Sequence, residues 1–178
     1  MTKKSQINVR QAKLPEDLDH IKSLWYDYLV WGNNQMEALY GVHPHNPKEA
    51  VEADIKQIHK FQPPYGQLIT AIYDGTICGL GSLKNISLEI GEIKRMFVDP
   101  DFRGLGAGRA ILEGLLAASK QAGYKKVRLD SPKFMEAAHG LYRSFGFRDI
   151  DPYPEMEIPT SFIDYMLFME LDLTVDSQ

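Results

Sequence analysis

The stretch Glu92–Gly108, reading E-I-K-R-M-F-V-D-P-D-F-R-G-L-G-A-G, changes hydrophobic period halfway through and so limits the folds open to this chain. Up to Val98 it reads as a strand with apolar Ile93, Met96, Phe97 and Val98. Asp99-Pro100 ends that strand, because proline lacks a backbone donor and fixes φ. From Gly108 onward Ile111, Leu112, Leu115 and Leu116 recur at the spacing of one helix face. Strand, glycine-rich turn and helix follow one another.

Such a turn leaves the first amides of the helix without intrahelical partners and aims them, with the positive end of the macrodipole, at whatever the turn holds. A phosphate suits that position. Gly104, Gly106 and Gly108 allow close backbone approach, and Arg103 and Arg109 add charge that pairs with phosphate oxygens. The dinucleotide pattern G-x-G-x-x-G fails, since Gly106 is followed three residues on by Arg109. The nucleoside-triphosphate loop fails too, for want of a Gly-Lys pair.

The pattern that fits is R-x-x-G-x-G, at Arg103, Gly106 and Gly108, and it resembles the coenzyme A loop of the GNAT N-acetyltransferase superfamily. The segment G-L-Y-R-S-F-G-F, Gly140–Phe147, also resembles that superfamily's helix-turn-strand after the fifth strand, so the likeness covers nearly the whole chain. It implies an α+β GNAT fold, a mixed twisted sheet with helices on both faces, and acetyl-CoA as co-substrate. It further implies that the backbone of Met96, Phe97 and Val98 bonds the pantetheine like an added strand, and that the turn Arg103, Gly104, Leu105, Gly106, Ala107, Gly108 and Arg109 holds the pyrophosphate. Met135 stands seven residues before Tyr142, where many members carry a cofactor-facing asparagine, and is the one departure from the pattern.

The rest of the chain predicts the order β-α-α-β-β-β-α-β-α-β-β. A first strand falls at Ile7–Ala12, and a helix starts near Leu14-Pro15-Glu16-Asp17 and runs to about Trp31. Its aromatics exceed one apolar stripe, so Trp25, Tyr28 and Trp31 are candidates for the walls of an acceptor pocket, with extra core or a homodimer contact as the other use. Gly32–Asn46 reads as a loop and Pro47 opens a second helix. Gln67–Tyr73 and Thr76–Lys84 form a hairpin across Asp74-Gly75. Lys126–Asp130 makes the next strand, parallel to the central one, followed by a helix over Lys133–Phe145 and two closing strands near Phe147–Ile150 and Asp164–Leu171.

A length of 178 residues suits a single domain spanning 1–178, frayed at Met1–Gln6 and Thr174–Gln178. No apolar run approaches the roughly 20 residues of a membrane span, and no secretory leader precedes the first strand, so a cytoplasmic protein without membrane contact is expected. A formal net charge of −4 argues against nucleic acid as a partner. The lone Cys78 reads as a buried, inert thiol, and His43-x-His45 as loop punctuation rather than a metal site.

Acyl transfer from a thioester to an amine needs a neutral amine, a polarised carbonyl and a proton for the departing sulfur. Glu92 stands where histone acetyltransferases of the superfamily carry their general base; by strict alternation it shares a face with Met96 and Val98. The resemblance implies that the Tyr142 hydroxyl protonates the coenzyme A sulfur. The expected activity is N-acetylation of a primary amine on a small molecule or peptide by direct transfer. A non-catalytic acyl-CoA sensor on the same fold is the alternative, and retention of Glu92 and Tyr142 favours the enzyme.

Overall fold

The computed structural model describes residues 6–175, so most of the expected frayed ends lies outside the described residues. The central stretch folds as its periodicity predicts. Strand β4 (Ile90–Val98) leads through a short 3-10 turn into helix α3 (Ala107–Gln121), whose N-cap is Gly106 at φ 91°. Around it run β1 (Asn8–Gln11), α1 (Leu18–Tyr40), α2 (Pro47–Lys56), β2 (Gln67–Tyr73) and β3 (Thr76–Ser87), then β5 (Lys126–Pro132), α4 (Glu136–Ser144), β6 (Arg148–Ile150) and β7 (Met166–Asp172). The seven strands form one sheet in the order β1-β2-β3-β4-β5-β7-β6, with β4 and β5 parallel and the remaining pairs antiparallel.

Local chemistry accounts for the main turns. Asp74 and Gly75 both take positive φ, 47° and 84°, the two-residue turn whose twist matches the β2–β3 hairpin. Asn46 caps α2 by accepting from the backbone N–H groups of Lys48 and Glu49. The sheet then buries apolar residues on both faces. On one, Ile93, Ile111, Leu112, Leu115, Val127 and Tyr142 join α3 and α4 to the strands. On the other, Ile21, Trp25, Leu29, Val51, Phe61 and Phe97 join α1 and α2 to them. Among the described residues no helix is long and apolar enough to cross a membrane.

Two features depart from the sequence reading. Helix α1 does not stop at Trp31; it continues through Gly32 to Tyr40 and ends on Gly41 at φ 69°. A mid-helix glycine costs only about 1 kcal/mol, and the added turns offset it. Asn33 donates to the carbonyl of His45 at 2.6 Å, Met36 is buried, and Tyr40 packs on Tyr165 with ring centroids 4.8 Å apart.

The second departure lies in β4. Ser82 pairs with Lys94 and Leu80 with Phe97, so Gly81 alone faces Arg95 and Met96, and Arg95 takes φ 52°. This bulge breaks strict alternation. Met96 and Val98 pack against the α3 face with Ile93, whereas Phe97 turns to the α1 face. The expectation that Glu92 shares a face with Met96 and Val98 is therefore corrected: the extra residue at the bulge inverts the side from which they project.

Before α1, Arg10 and Asp17 form a two-pronged pair at 2.6 and 3.0 Å, and Asp17 also accepts the Lys13 N–H at 2.7 Å. The hydrogen bond from Arg10 holds the Asp17 carboxyl below its ordinary 3.8. A depressed folded-state value means that this contribution to stability is present above 3.8 and is lost as the pH falls from there through the folded value. Asp17→Asn should lower unfolding free energy at pH 7 by about 1–3 kcal/mol. Urea melts should show that gap closing below 3.8; a gap unchanged by acid would show that the charge of Asp17 does not matter.

Candidate active site

Two cavities meet in the sheet's central cleft. The β4–β5 ladder runs only from Ile90–Lys126 to Glu92–Arg128, after which the two parallel strands part. The parting leaves the β5 side of Met96–Val98 as an edge able to take one more extended chain. The first cavity, of about 570 Å³, lies there, between the end of β4, the glycine turn and α4.

Its walls include Met96, Phe97, Val98, Arg103, Gly104, Gly106, Ala107, Gly108, Met135 and Tyr142, so most residues expected to hold the cofactor come together. No side chain caps the start of α3. A Cβ placed on Gly104 or Gly106 would meet nothing within 4 Å, and both residues line the cavity, so the turn before α3 is open to a ligand such as a pyrophosphate. Arg103 lies over Trp31 and Phe97, 5.3 and 5.7 Å from their ring centroids, and donates from Nε to the Val98 carbonyl at 3.2 Å. Leu105 and Arg109 do not line the cavity: Leu105 is exposed, and Arg109 stacks on Phe145 and reaches Ser144.

Tyr142 projects into this cavity from α4, its hydroxyl 3.9 Å from Met96 Sδ. Burial pushes that phenol above its usual range, and Tyr28 and Asp130 add to the shift. It therefore keeps its proton across ordinary working pH and stands ready as a donor.

The second cavity, of about 300 Å³, lies beneath the extended part of α1 and is walled by Tyr28, Met36, His45, Lys94, Arg95 and Asp130, with Glu157 and Phe162 from the segment before β7. Tyr28 and Met135 line both cavities and mark the seam. Of the aromatics expected at an acceptor pocket, Tyr28 and Trp31 lie at the cleft. Trp25 does not; it is fully buried against Phe61, ring centroids 5.8 Å apart, because its position on α1 faces the sheet.

Glu92 lines neither cavity. It is fully buried, accepts from the Tyr153 hydroxyl at 2.6 Å, and lies 3.1 Å from Lys84 Nζ and 3.6 Å from Lys94 Nζ. Lys94 in turn reaches Asp130 at 2.7 Å and Glu157 at 3.7 Å. Burial works against the Lys94 ammonium, but Asp130 and Glu92 outweigh it, so its pKa is pushed up to about 12. The carboxylates that reach the cavity are thus Asp130 and Glu157, with Glu92 a layer behind.

Sequence reasoning missed Lys94, Arg95, Asp130, Asn33, Met36, His45 and Glu157. Met36 and Tyr40 continue the helical spacing of Leu29 past Gly32, a signal that was there to read. The pairing of Lys94 with Arg95 depends on the bulge, which no residue in E-I-K-R-M announces. His43 and His45 diverge, His43 lying 3.0 Å from Glu37 while His45 lines the second cavity.

The family model described as "Acetyltransferase (GNAT) family" matches residues 28–147. An uncharacterized N-acetyltransferase of Schizosaccharomyces pombe is 29% identical over 177 residues, covering 98% of this chain and 99% of that protein. An acetyltransferase from Streptococcus agalactiae superposes with a TM-score of 0.70 at 22% identity, covering 94% of this chain and 98% of that one. The PaiA N-acetyltransferase of Thermoplasma acidophilum, solved in complex with coenzyme A, superposes with a TM-score of 0.67 at 18% identity, covering 94% of this chain and 99% of that one.

The open cradle at the glycine turn gives a direct test. In Gly106→Val a branched side chain would enter the space before the α3 amides and resist φ 91°, at a strain cost of about 1–3 kcal/mol. Coenzyme A at a hundredfold excess over its dissociation constant should stabilise the wild type by about 2.7 kcal/mol. The folded variant should lose most of that protection in thermal melts, and full protection would refute the cradle.

Proposed function

The chain belongs to the GNAT acetyltransferase family, and from that premise we propose that it is an enzyme moving the acetyl group of acetyl-CoA to a primary amine by direct transfer, both substrates bound at once. The observation that carries this reading is the seam: a cavity with an open glycine turn and a buried phenol opens, at Tyr28 and Met135, onto a second cavity lined by the carboxylates Asp130 and Glu157. A sensor that only reads acyl-CoA has no use for the second cavity.

Acetyl-CoA, when bound, supplies the acyl group already activated as a thioester. Around it the chain does three things. The α3 amides and Arg103 hold the pyrophosphate, and the free edge at Met96–Val98 takes the pantetheine arm and donates toward the thioester carbonyl, where charge grows during transfer. Asp130 receives the acceptor as its ammonium and draws off the proton that must leave before nitrogen can attack. Tyr142 gives a proton to the departing sulfur as the C–S bond breaks and the N–C bond forms, and the second proton that nitrogen sheds on becoming an amide restores it. Of the two protons the ammonium loses, one goes to Asp130 and one, in sum, to sulfur.

Glu92, expected from the sequence to be the base, acts behind Asp130 in this scheme. It anchors the Lys94 ammonium, and Lys94 holds Asp130 at 2.7 Å. Glu92 is then a positioning residue.

Incubation with acetyl-CoA and a panel of primary amines, read as free thiol, tests the reaction; cofactor binding without thiol release on any amine would point to a sensor. Tyr142→Phe keeps the ring packing against Phe147 but removes the donor. Its kcat should fall by about 10²–10⁴ while coenzyme A affinity barely moves.

The two carboxylates separate by pH profile. Asp130→Asn should lose activity below the acceptor's own pKa, near 10 for an alkyl amine, and recover as the pH approaches it. Glu92→Gln should show a smaller loss with the same slope. A larger, alkali-rescued loss in Glu92→Gln would return the base role to Glu92.

A further inference from the structure

We propose that the second cavity takes an acceptor that carries a carboxylate as well as its amine, an amino acid or related amino carboxylate, and that Arg95 binds that carboxylate. This deepens the transferase reading above and rests on it for the identity of the cavity.

The β4 bulge is the first ground. In an unbroken strand Lys94 and Arg95 would project from opposite faces, and Arg95 would enter the apolar layer beneath α3. With the bulge, both line the same cavity. Arg95 accepts a left-handed backbone, φ 52°, to reach that place, a conformation that costs an ordinary side chain about 1 kcal/mol or more.

The second ground is what each cation already holds. Lys94 donates to Asp130 at 2.7 Å and lies 3.6 and 3.7 Å from Glu92 and Glu157, so its charge is already surrounded by three carboxylates. Arg95 differs. Its Nε donates to Asp54 Oδ2 at 2.7 Å, while the other oxygen of Asp54 lies 3.7 Å from Lys60. Among the described residues the terminal nitrogens of Arg95 donate no hydrogen bond. The planar outer edge of a guanidinium matches the two oxygens of a carboxylate.

The third ground is charge and size. Asp130 and Arg95 put opposite charges in one cavity of about 300 Å³, at the small end of ligand pockets. An ammonium at Asp130, near the seam with the acyl cavity, and a carboxylate at Arg95 satisfy both. A simple alkyl amine would leave the outer edge of the half-buried guanidinium without an anion. Leu29, Met36, Phe162 and Met166 provide apolar wall for the remainder of the molecule.

The test is calorimetry on protein saturated with coenzyme A, using phenylalanine, leucine, aspartate and 4-aminobutyrate beside their carboxamides. At least one acid should bind, with its carboxamide at least tenfold weaker. Arg95→Lys keeps the charge but loses the fork, and should weaken the acid at least tenfold while leaving the carboxamide and coenzyme A unchanged. Carboxamides binding as well as acids, an acid affinity untouched by Arg95→Lys, or no acid binding to cofactor-loaded protein would each overturn the proposal. Should Arg95→Lys fail to fold, the comparison of acid with carboxamide on the wild type decides alone. A selective acid that binds yet releases no thiol from acetyl-CoA would sink the transferase reading and leave the carboxylate site standing.

Discussion

One extra residue in β4 sets most of what this molecule can do. Opposite Gly81 the strand carries Arg95 and Met96 where the partner carries one residue, and the sides are exchanged from there to Val98. Upstream, Glu92 and Lys94 belong to the α1 face; downstream, Met96 and Val98 belong to the α3 face. The same strand leaves its parallel partner β5 after Glu92. Bulge and splay together open the sheet at its centre, and a cleft can cross from the glycine turn to the underside of α1 without breaking either core.

Charge fills the opening in an ordered way. A buried carboxylate and a buried ammonium are each costly alone and tolerable only with partners. Glu92, with Lys84, Lys94 and the Tyr153 hydroxyl around it, is held entirely out of solvent. The chain Glu92–Lys94–Asp130 then delivers one carboxylate of fixed position to the cavity wall, much as a catalytic group is held by the shell behind it.

The mixed sheet, the order of elements along the chain and the open glycine turn were legible in the sequence because each depends on local chemistry: apolar periodicity, Asp74-Gly75, and the glycines of the turn. Tyr142 was legible through its motif. The second cavity was not, for two physical reasons. Gly32 reads as a stop, yet tertiary contacts through Asn33, Met36 and Tyr40 outweigh its helix penalty. Gly81 in β3 suggests a bulge or close packing, but nothing in E-I-K-R-M marks Arg95, at φ 52°, as the extra residue, so strict alternation misplaced Glu92 and hid Lys94 and Arg95 as a pair. Trp25 failed as a pocket wall for a simpler reason: a surplus of aromatics on a helix does not say which of them is the surplus.

The overhang of α1 beyond Trp31 divides the labour between two parts of the chain. The sheet, α3 and α4, with Tyr28 and Trp31 of α1, build the first cavity, whereas the roof of the second comes from the last turns of α1, the segment to Asn46 and the run before β7. Those pieces hold to one another through contacts such as Tyr40 on Tyr165 and add no strand to the sheet. Substitutions there can reshape what is recognised while the chemistry below stays fixed. On the proposed function, the sheet is the constant frame and the overhang of α1 the part whose redrawing would change the acceptor.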